Sequence, residues 1–198
     1  MIEEKNFRVA LGQFFVKETS EENQAITRDF IERAEKKGAD LLVLPEGIIA
    51  RKPGDKDWPR LHSEPLDGPF VTALLAATKG KRVTVVCTVQ AKIPGEERYA
   101  NDLLVVKDGE LKLVYQKLHL YDAFSAKESD NAVPGDEVPA LVDVGPFKCG
   151  FITCYDARFP EITRACARGR QPPRGVGRLG EGPPEGNALG SVAESPCA

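Results

Sequence analysis

The sequence predicts an α/β layered fold, a mixed sheet covered by helices, and three observations carry that prediction. ADLLVLPEG (39–47), a short and nearly continuous apolar run, reads as a strand buried on both faces, and RVTVVCTVQAK (82–92) reads as another strand. Segments with helical period lie between such runs, so βαβ units alternate along the chain. Turn signals at Asp108-Gly109 and Gly145-Pro146 divide two later β-rich stretches into hairpins.

The elements follow in order. FRVALGQFFV (7–16) is a β-rich run. In TSEENQAITRDFIERAEKKGAD, Thr19 and Glu22 fit a capping box, and Ile26, Phe30, Ile31 and Ala34 share a helical face. Gly38 stands where that helix would stop. The strand at 39–47 is closed by Pro45. LDGPFVTALLAATKGK (66–81) is a second helix, followed by the strand at 82–92. ANDLLVVKDGELKLVYQKLHL (100–120) and ALVDVGPFKCGFITCYD (140–156) are the hairpins, and the last strand is expected to run into a buried Cys154. FPEITRACA then opens a helix with Pro160 in its first turn.

A chain of 198 residues with 41% hydrophobic and 29% charged residues has enough material for one domain with a packed core. A net charge of −3 gives no support for nucleic acid or an anionic membrane as partner. No apolar run approaches bilayer-spanning length. MIEEKNFRV has neither a basic n-region nor an apolar h-region, and the five cysteines form no CxxC pair. Both features point to the reducing cytoplasm. His62 and His119 are far apart, so a zinc site would need scattered ligands. From Arg164 the composition breaks. Residues 164–198 hold seven Gly, five Pro and five Arg but no Lys, aromatic or Ile, so they read as an aberrant, disordered tail.

Three residues carry chemical potential: Glu46 after LLVLP, Lys117 in YQKLHLYD, and Cys154 in GFITCYDARFPE. Singly, each has a bland reading as a turn carboxylate, a solvated strand end or a core thiol. Together they sit at the ends of buried strands, where α/β folds collect their sites. A helix N-terminus and a nearby lysine would stabilise a Cys154 thiolate, and a glutamate would take and return its proton.

These blocks resemble a known family. LLVLPEG, YQKLHLYDAF with the following KES, and CGFITCYDARFPE are similar, over residues 7 to about 163, to the catalytic blocks of the nitrilase, or carbon–nitrogen hydrolase, superfamily. KLHLYDAF…ES with CYDARFPE most resembles its bacterial deaminated-glutathione amidases and ω-amidases. The resemblance implies a four-layer α-β-β-α sandwich. It implies Cys154 as nucleophile, Glu46 as general base and Lys117 as stabiliser of the tetrahedral intermediate. The Tyr155 N–H would complete the oxyanion site, and Glu128 in AKESD would be the second glutamate. The implied reaction cleaves a small linear primary amide through a thioester and calls for no metal or organic cofactor.

Family members continue beyond the cysteine block, and the complete fold is expected to form homo-oligomers. Read from the second base of each codon, Cys166–Leu189 admits a segment resembling that continuation. Residues 1–163 are therefore expected to be the N-terminal part of the domain, incomplete at its C-terminus, and 164–198 an out-of-frame tail. Two functions follow. One is an amidase; the other is a catalytically inactive remnant, or a non-catalytic binding protein of the same fold. Assembly is expected of the complete fold and not of this truncated chain. A flavodoxin-like binding module would need a phosphate-cradling loop that GQFFVKETS does not supply.

Overall fold

The computed structural model describes residues 6–124 and 126–168. The expectation for 169–198 lies outside the described residues. Helix α1 (Ser20–Lys36) lies between β1 (Val9–Leu11) and β2 (Leu41–Val43). A short α2 (Trp58–Leu61) precedes α3 (Pro69–Thr78), which leads into β3 (Thr84–Lys92), β4 (Tyr99–Lys107) and β5 (Glu110–Gln116). The two-residue strands β6 (Asp122–Ala123), β7 (Ala126–Lys127) and β8 (Ala132–Val133) come next. The hairpin β9 (Val142–Val144) and β10 (Phe147–Cys149) leads towards α4 (Pro160–Arg168).

Helix α1 begins where the sequence predicts. Thr19 is its N-cap and accepts from the Glu22 N–H (3.4 Å), while the Thr19 hydroxyl donates to the Glu22 carboxylate (2.7 Å). Gly38, at φ +67°, follows its C-cap. The buried stripe is Asn23, Thr27, Ile31 and Ala34; Ile26 and Phe30 are only half-buried. Asn23 is stable inside because its amide donates to the carbonyls of Lys17, Thr19 and Ile49 and accepts from the Lys17 N–H.

The central sheet has the order β1-β2-β3-β4-β5. Pairing is parallel from β1 to β3, across the helical crossovers, and antiparallel from β3 to β5. β8 runs parallel to β4 beyond the end of β5, so β4 has two partners along one side. Asp108 and Gly109 both take positive φ, the two-residue turn that matches strand twist.

Strand alternation divides the core. On one face Val85, Cys87 and Val89 of β3, with Leu104 and Val106 of β4, pack on Ile31 and Ala34 of α1 and Phe70, Val71 and Leu74 of α3. On the other, Val86, Leu103, Val105 and Tyr115 pack with Val144, Ile162 and Cys166.

Three elements differ from the sequence reading. β1 is three residues long, and Leu11 at its end is 79% exposed. β10 stops at Cys149, and residues 150–153 join no strand, so no strand runs into Cys154. Helix α4 passes through the compositional boundary at 164 and buries Cys166. Among the described residues no helix is long and apolar enough to cross a membrane.

Candidate active site

Glu46 stands in the turn that leaves β2. Pro45 has no N–H to continue a ladder, and Gly47 turns the chain at φ +66°. The neighbouring β3 fixes this turn. Thr88 Oγ1 accepts from the Gly47 N–H (2.7 Å). The Gln90 amide donates to the Gly47 carbonyl (3.0 Å) and accepts from the Ile49 N–H (3.2 Å). A Cβ on Gly47 would lie 2.7 Å from Gln90 Nε2, so the tight approach also needs glycine.

Lys117 follows β5 and is 1% exposed. Its N–H donates to the Asn101 carbonyl (2.9 Å), and its own carbonyl accepts from the Gly135 N–H (2.9 Å). Its Nζ lies 3.0 Å from Glu46 Oε1 and 2.9 and 3.1 Å from the two oxygens of Glu128. Glu128 opens a short 3-10 turn, Glu128–Asp130, and its Oε2 also accepts from the Tyr121 N–H (2.7 Å). Asn101 of β4 completes the cluster: Nδ2 donates to Glu46 Oε1 (2.8 Å) and to Glu128 Oε1 (3.0 Å).

Cys154 begins a five-residue 3-10 turn, Cys154–Arg158, and has φ +48°. A non-glycine residue in the left-handed region is strained, so the surroundings must hold it there. Asp156 supplies that hold and is fully buried. Its Oδ1 accepts from the His119 N–H (3.0 Å) and lies 2.8 Å from His119 Nδ1. Its Oδ2 accepts from the Tyr115 hydroxyl (2.8 Å) and, at 3.5 Å, from the Thr153 N–H. The His119 ring stacks on Phe159, 3.7 Å between centroids. Asp156 thus ties the Cys154 turn to the residues on both sides of Lys117. Tyr155 is next in the turn, its ring edge-on to Tyr121 and Phe159.

The charges are coupled. Burial works to raise the Glu46 carboxyl, but the Lys117 ammonium and hydrogen bonds from Asn101, Lys117 and the Cys154 thiol outweigh it, so Glu46 is held below its ordinary value. Burial works to strip Lys117 of its proton, but Glu46 and Glu128 outweigh that and hold it charged. Burial and then the Glu46 charge raise the Cys154 thiol, with Lys117 only partly opposing them. This corrects the expectation of a stabilised thiolate. The resting state is a thiol hydrogen-bonded to an ionised carboxylate, because Cys154 faces two carboxylates for one ammonium and the turn behind it is too short for a strong helix dipole. Cys154 is also exposed rather than buried. Cys87 is a core thiol, pushed up to about 12 by burial. Cys149 is half-buried at the edge of the core.

The four side chains singled out from sequence, Glu46, Lys117, Glu128 and Cys154, therefore meet. Sequence reasoning missed Asn101 and the Tyr115–His119–Asp156 group. The signals were an Asn-Asp pair inside the apolar strand ANDLLVV, and a histidine two residues after Lys117. Among the described residues no group of three or more His, Cys, Asp or Glu is placed to hold a metal. A thiol beside an ionised base and an ammonium can be deprotonated as it attacks an electrophile, with the new anion met by the cation.

Comparison with known proteins identifies the family. Residues 8–171 match the family described as carbon-nitrogen hydrolase. The chain is 37% identical over 160 residues to a deaminated glutathione amidase of Escherichia coli O157:H7, covering 80% of this chain and 60% of that protein. It is 30% identical to the chloroplastic omega-amidase of Arabidopsis thaliana, covering 79% and 44%. In fold it matches a variant of the amidase from Nesterenkonia sp. AN1 whose active site cysteine carries the acetamide moiety of fluoroacetamide. The TM-score is 0.67 at 24% identity, covering 83% of this chain and 62% of that one. The chain thus spans about half to three-fifths of the length of these curated relatives. Its mixed α/β fold matches that of the Nesterenkonia amidase, and the chain belongs to the carbon–nitrogen hydrolase family.

Proposed function

We propose that the protein is a cysteine-dependent amidase that converts a small linear primary amide to acid and ammonia. The observation that carries this reading is the ionised Glu46 carboxylate, held by Lys117 and Asn101 and hydrogen-bonded to the Cys154 thiol. Cys154 Sγ attacks the amide carbon as its proton passes to Glu46. The oxyanion rests on Lys117 Nζ and the Tyr155 N–H. Glu46 returns the proton to the nitrogen, the C–N bond breaks and ammonia leaves a thioester. Water, losing a proton to Glu46, attacks the thioester; the C–S bond breaks and Cys154 recovers its thiol. The sum is amide plus water to acid plus ammonia.

Two amidases among the relatives support the substrate class, and covalent addition at the cysteine of the Nesterenkonia amidase supports the nucleophile. The free thiols of Cys87, Cys149, Cys154 and Cys166 suit a reducing compartment, and we assign the protein to the cytoplasm. The test is ammonia release from a small ω-amide such as α-ketoglutaramate. Cys154→Ala is expected to abolish release, and Glu46→Gln to lower kcat about a hundredfold or more. Undiminished release by Cys154→Ala would remove the nucleophile assignment. No release by the unsubstituted chain would favour the non-catalytic remnant.

A further inference from the structure

Two carboxylates share one ammonium in this site, and a second donor is needed to keep them in place. Asn101 is that donor. It is 5% exposed, and its Nδ2 bridges Glu46 Oε1 (2.8 Å) and Glu128 Oε1 (3.0 Å) from the side of β4. Lys117 Nζ bridges the same two carboxylates from the end of β5. The Asn101 carbonyl also accepts the Lys117 N–H, so one residue fixes both the backbone and the charge cluster. We propose that Asn101 is a positioning residue that clamps Glu46 and Glu128 opposite Lys117 and so sets the proton affinity of the base that serves Cys154. The inference rests on reading Glu46 as that base.

The choice of a neutral amide has a chemical reason. A second cation here would make Glu46 too weak a base, and a third carboxylate would repel the first two. An amide supplies hydrogen bonds without adding charge. The groups facing Glu46 are Lys117 from the end of β5, Glu128 from its 3-10 turn and Cys154 from the turn at 154–158. Tyr99 of β4 lies close enough for its phenol to feel Glu128, Glu46, Lys117 and Arg51.

The test follows Cys154 alkylation by iodoacetamide against pH in the full chain, read by peptide mass. Asn101→Ala and Asn101→Leu are each made alone and with Glu46→Gln. Losing a hydrogen bond to the ionised form raises a carboxyl, so Asn101→Ala should move the acid limb up by about one pH unit. At a pH on that limb, alkylation should slow about tenfold. With Glu46→Gln already present, Asn101→Ala should change the rate less than about twofold, because the base it tunes is gone. An unmoved limb, or equal slowing in both backgrounds, overturns the clamp. Should Asn101→Ala not fold, the near-isosteric and uncharged Asn101→Leu, which cannot donate, decides: an upward shift supports the clamp and no shift ends it. Ammonia release separates the two readings. A shifted limb without release by the unsubstituted chain keeps the clamp and removes the amidase, and release with an unmoved limb does the reverse.

Discussion

The turn that carries Glu46 and the turn that carries Cys154 are built in opposite ways. The Glu46 turn lies against the central strand β3 and is fastened at several points, by Thr88 Oγ1, both ends of the Gln90 amide and backbone bonds to Val86 and Thr88. The Cys154 turn is fastened through side chains, to Tyr115 of β5 and to His119. It is strained at φ +48° and relies on Asp156, which is bound to His119 and Tyr115. The Glu46 half of the site is part of the sheet, while the Cys154 half hangs on the buried Asp156 carboxyl and the ring contacts around it. An attachment spread over a strand loses little when one bond goes. An attachment centred on one side chain loses more of its order.

Substitutions can break or sharpen that contrast. Asp156→Ala should have the largest effect, since it leaves the His119 N–H, His119 Nδ1 and Tyr115 hydroxyl without their acceptor inside the protein. A loss of about 3 kcal/mol in urea unfolding is expected. Amide exchange should rise at 150–158 well before it rises at 44–49. Equal loosening of both segments would show that the turns are one unit.

Asp102 is next. It neighbours Asn101 on β4, and its buried Oδ1 has no partner among the described residues. Burial pushes its carboxyl up to about 6. Below an unfolded value of about 3.9 both states hold the proton. As pH rises the unfolded chain releases it first, so stability falls until the folded carboxyl ionises near 6. Above that the penalty is constant, about 2–3 kcal/mol. Asp102→Asn should therefore raise stability at pH 7.5 by about 1–2 kcal/mol, after the cost of a buried amide, and change little at pH 4. A gain of equal size at both pH values would rule out ionisation as the cause.

Gly47→Ala should have an effect similar in size and opposite in sign, a loss of about 1–2 kcal/mol from the left-handed backbone and the Gln90 contact. Its loosening should stay within 44–49. Faster exchange at 150–158 in this variant would mean that the two turns communicate.

Much of this was legible in the sequence where a local rule operates. Thr19 and Gly38 bound α1, Asp108-Gly109 closes the β4–β5 hairpin, and Pro160 opens α4. Glu46, Lys117, Glu128 and Cys154 lay in recognisable blocks. Features that depend on a distant partner were not legible. Asn23 and Thr27 replace apolar residues on the buried stripe of α1, and Asn23 does so through a bond to Ile49 that no helical period encodes. Asn101 is hidden in a strand because its partners are 55 residues before it and 27 after it. The protonation of Cys154 depends on partial burial of its thiol and on two carboxylates set against one lysine, which only their convergence reveals.

The β4–β5 hairpin divides the site by chain entropy. Lys117 and Glu128 are 11 residues apart, and Asn101 is 27 residues before Glu128. The lysine, the second glutamate and the amide thus belong to one contiguous excursion that its two-residue turn draws together at small closure cost. Glu46 lies 71 residues from Lys117 and enters the site only through the parallel crossovers of the whole sheet. The cluster is therefore half local and half global. Transplanting the excursion from Tyr99 to Val133 into a related sheet would carry the cation, its glutamate and the amide together as one module, leaving Glu46 and Cys154 to be supplied by the host.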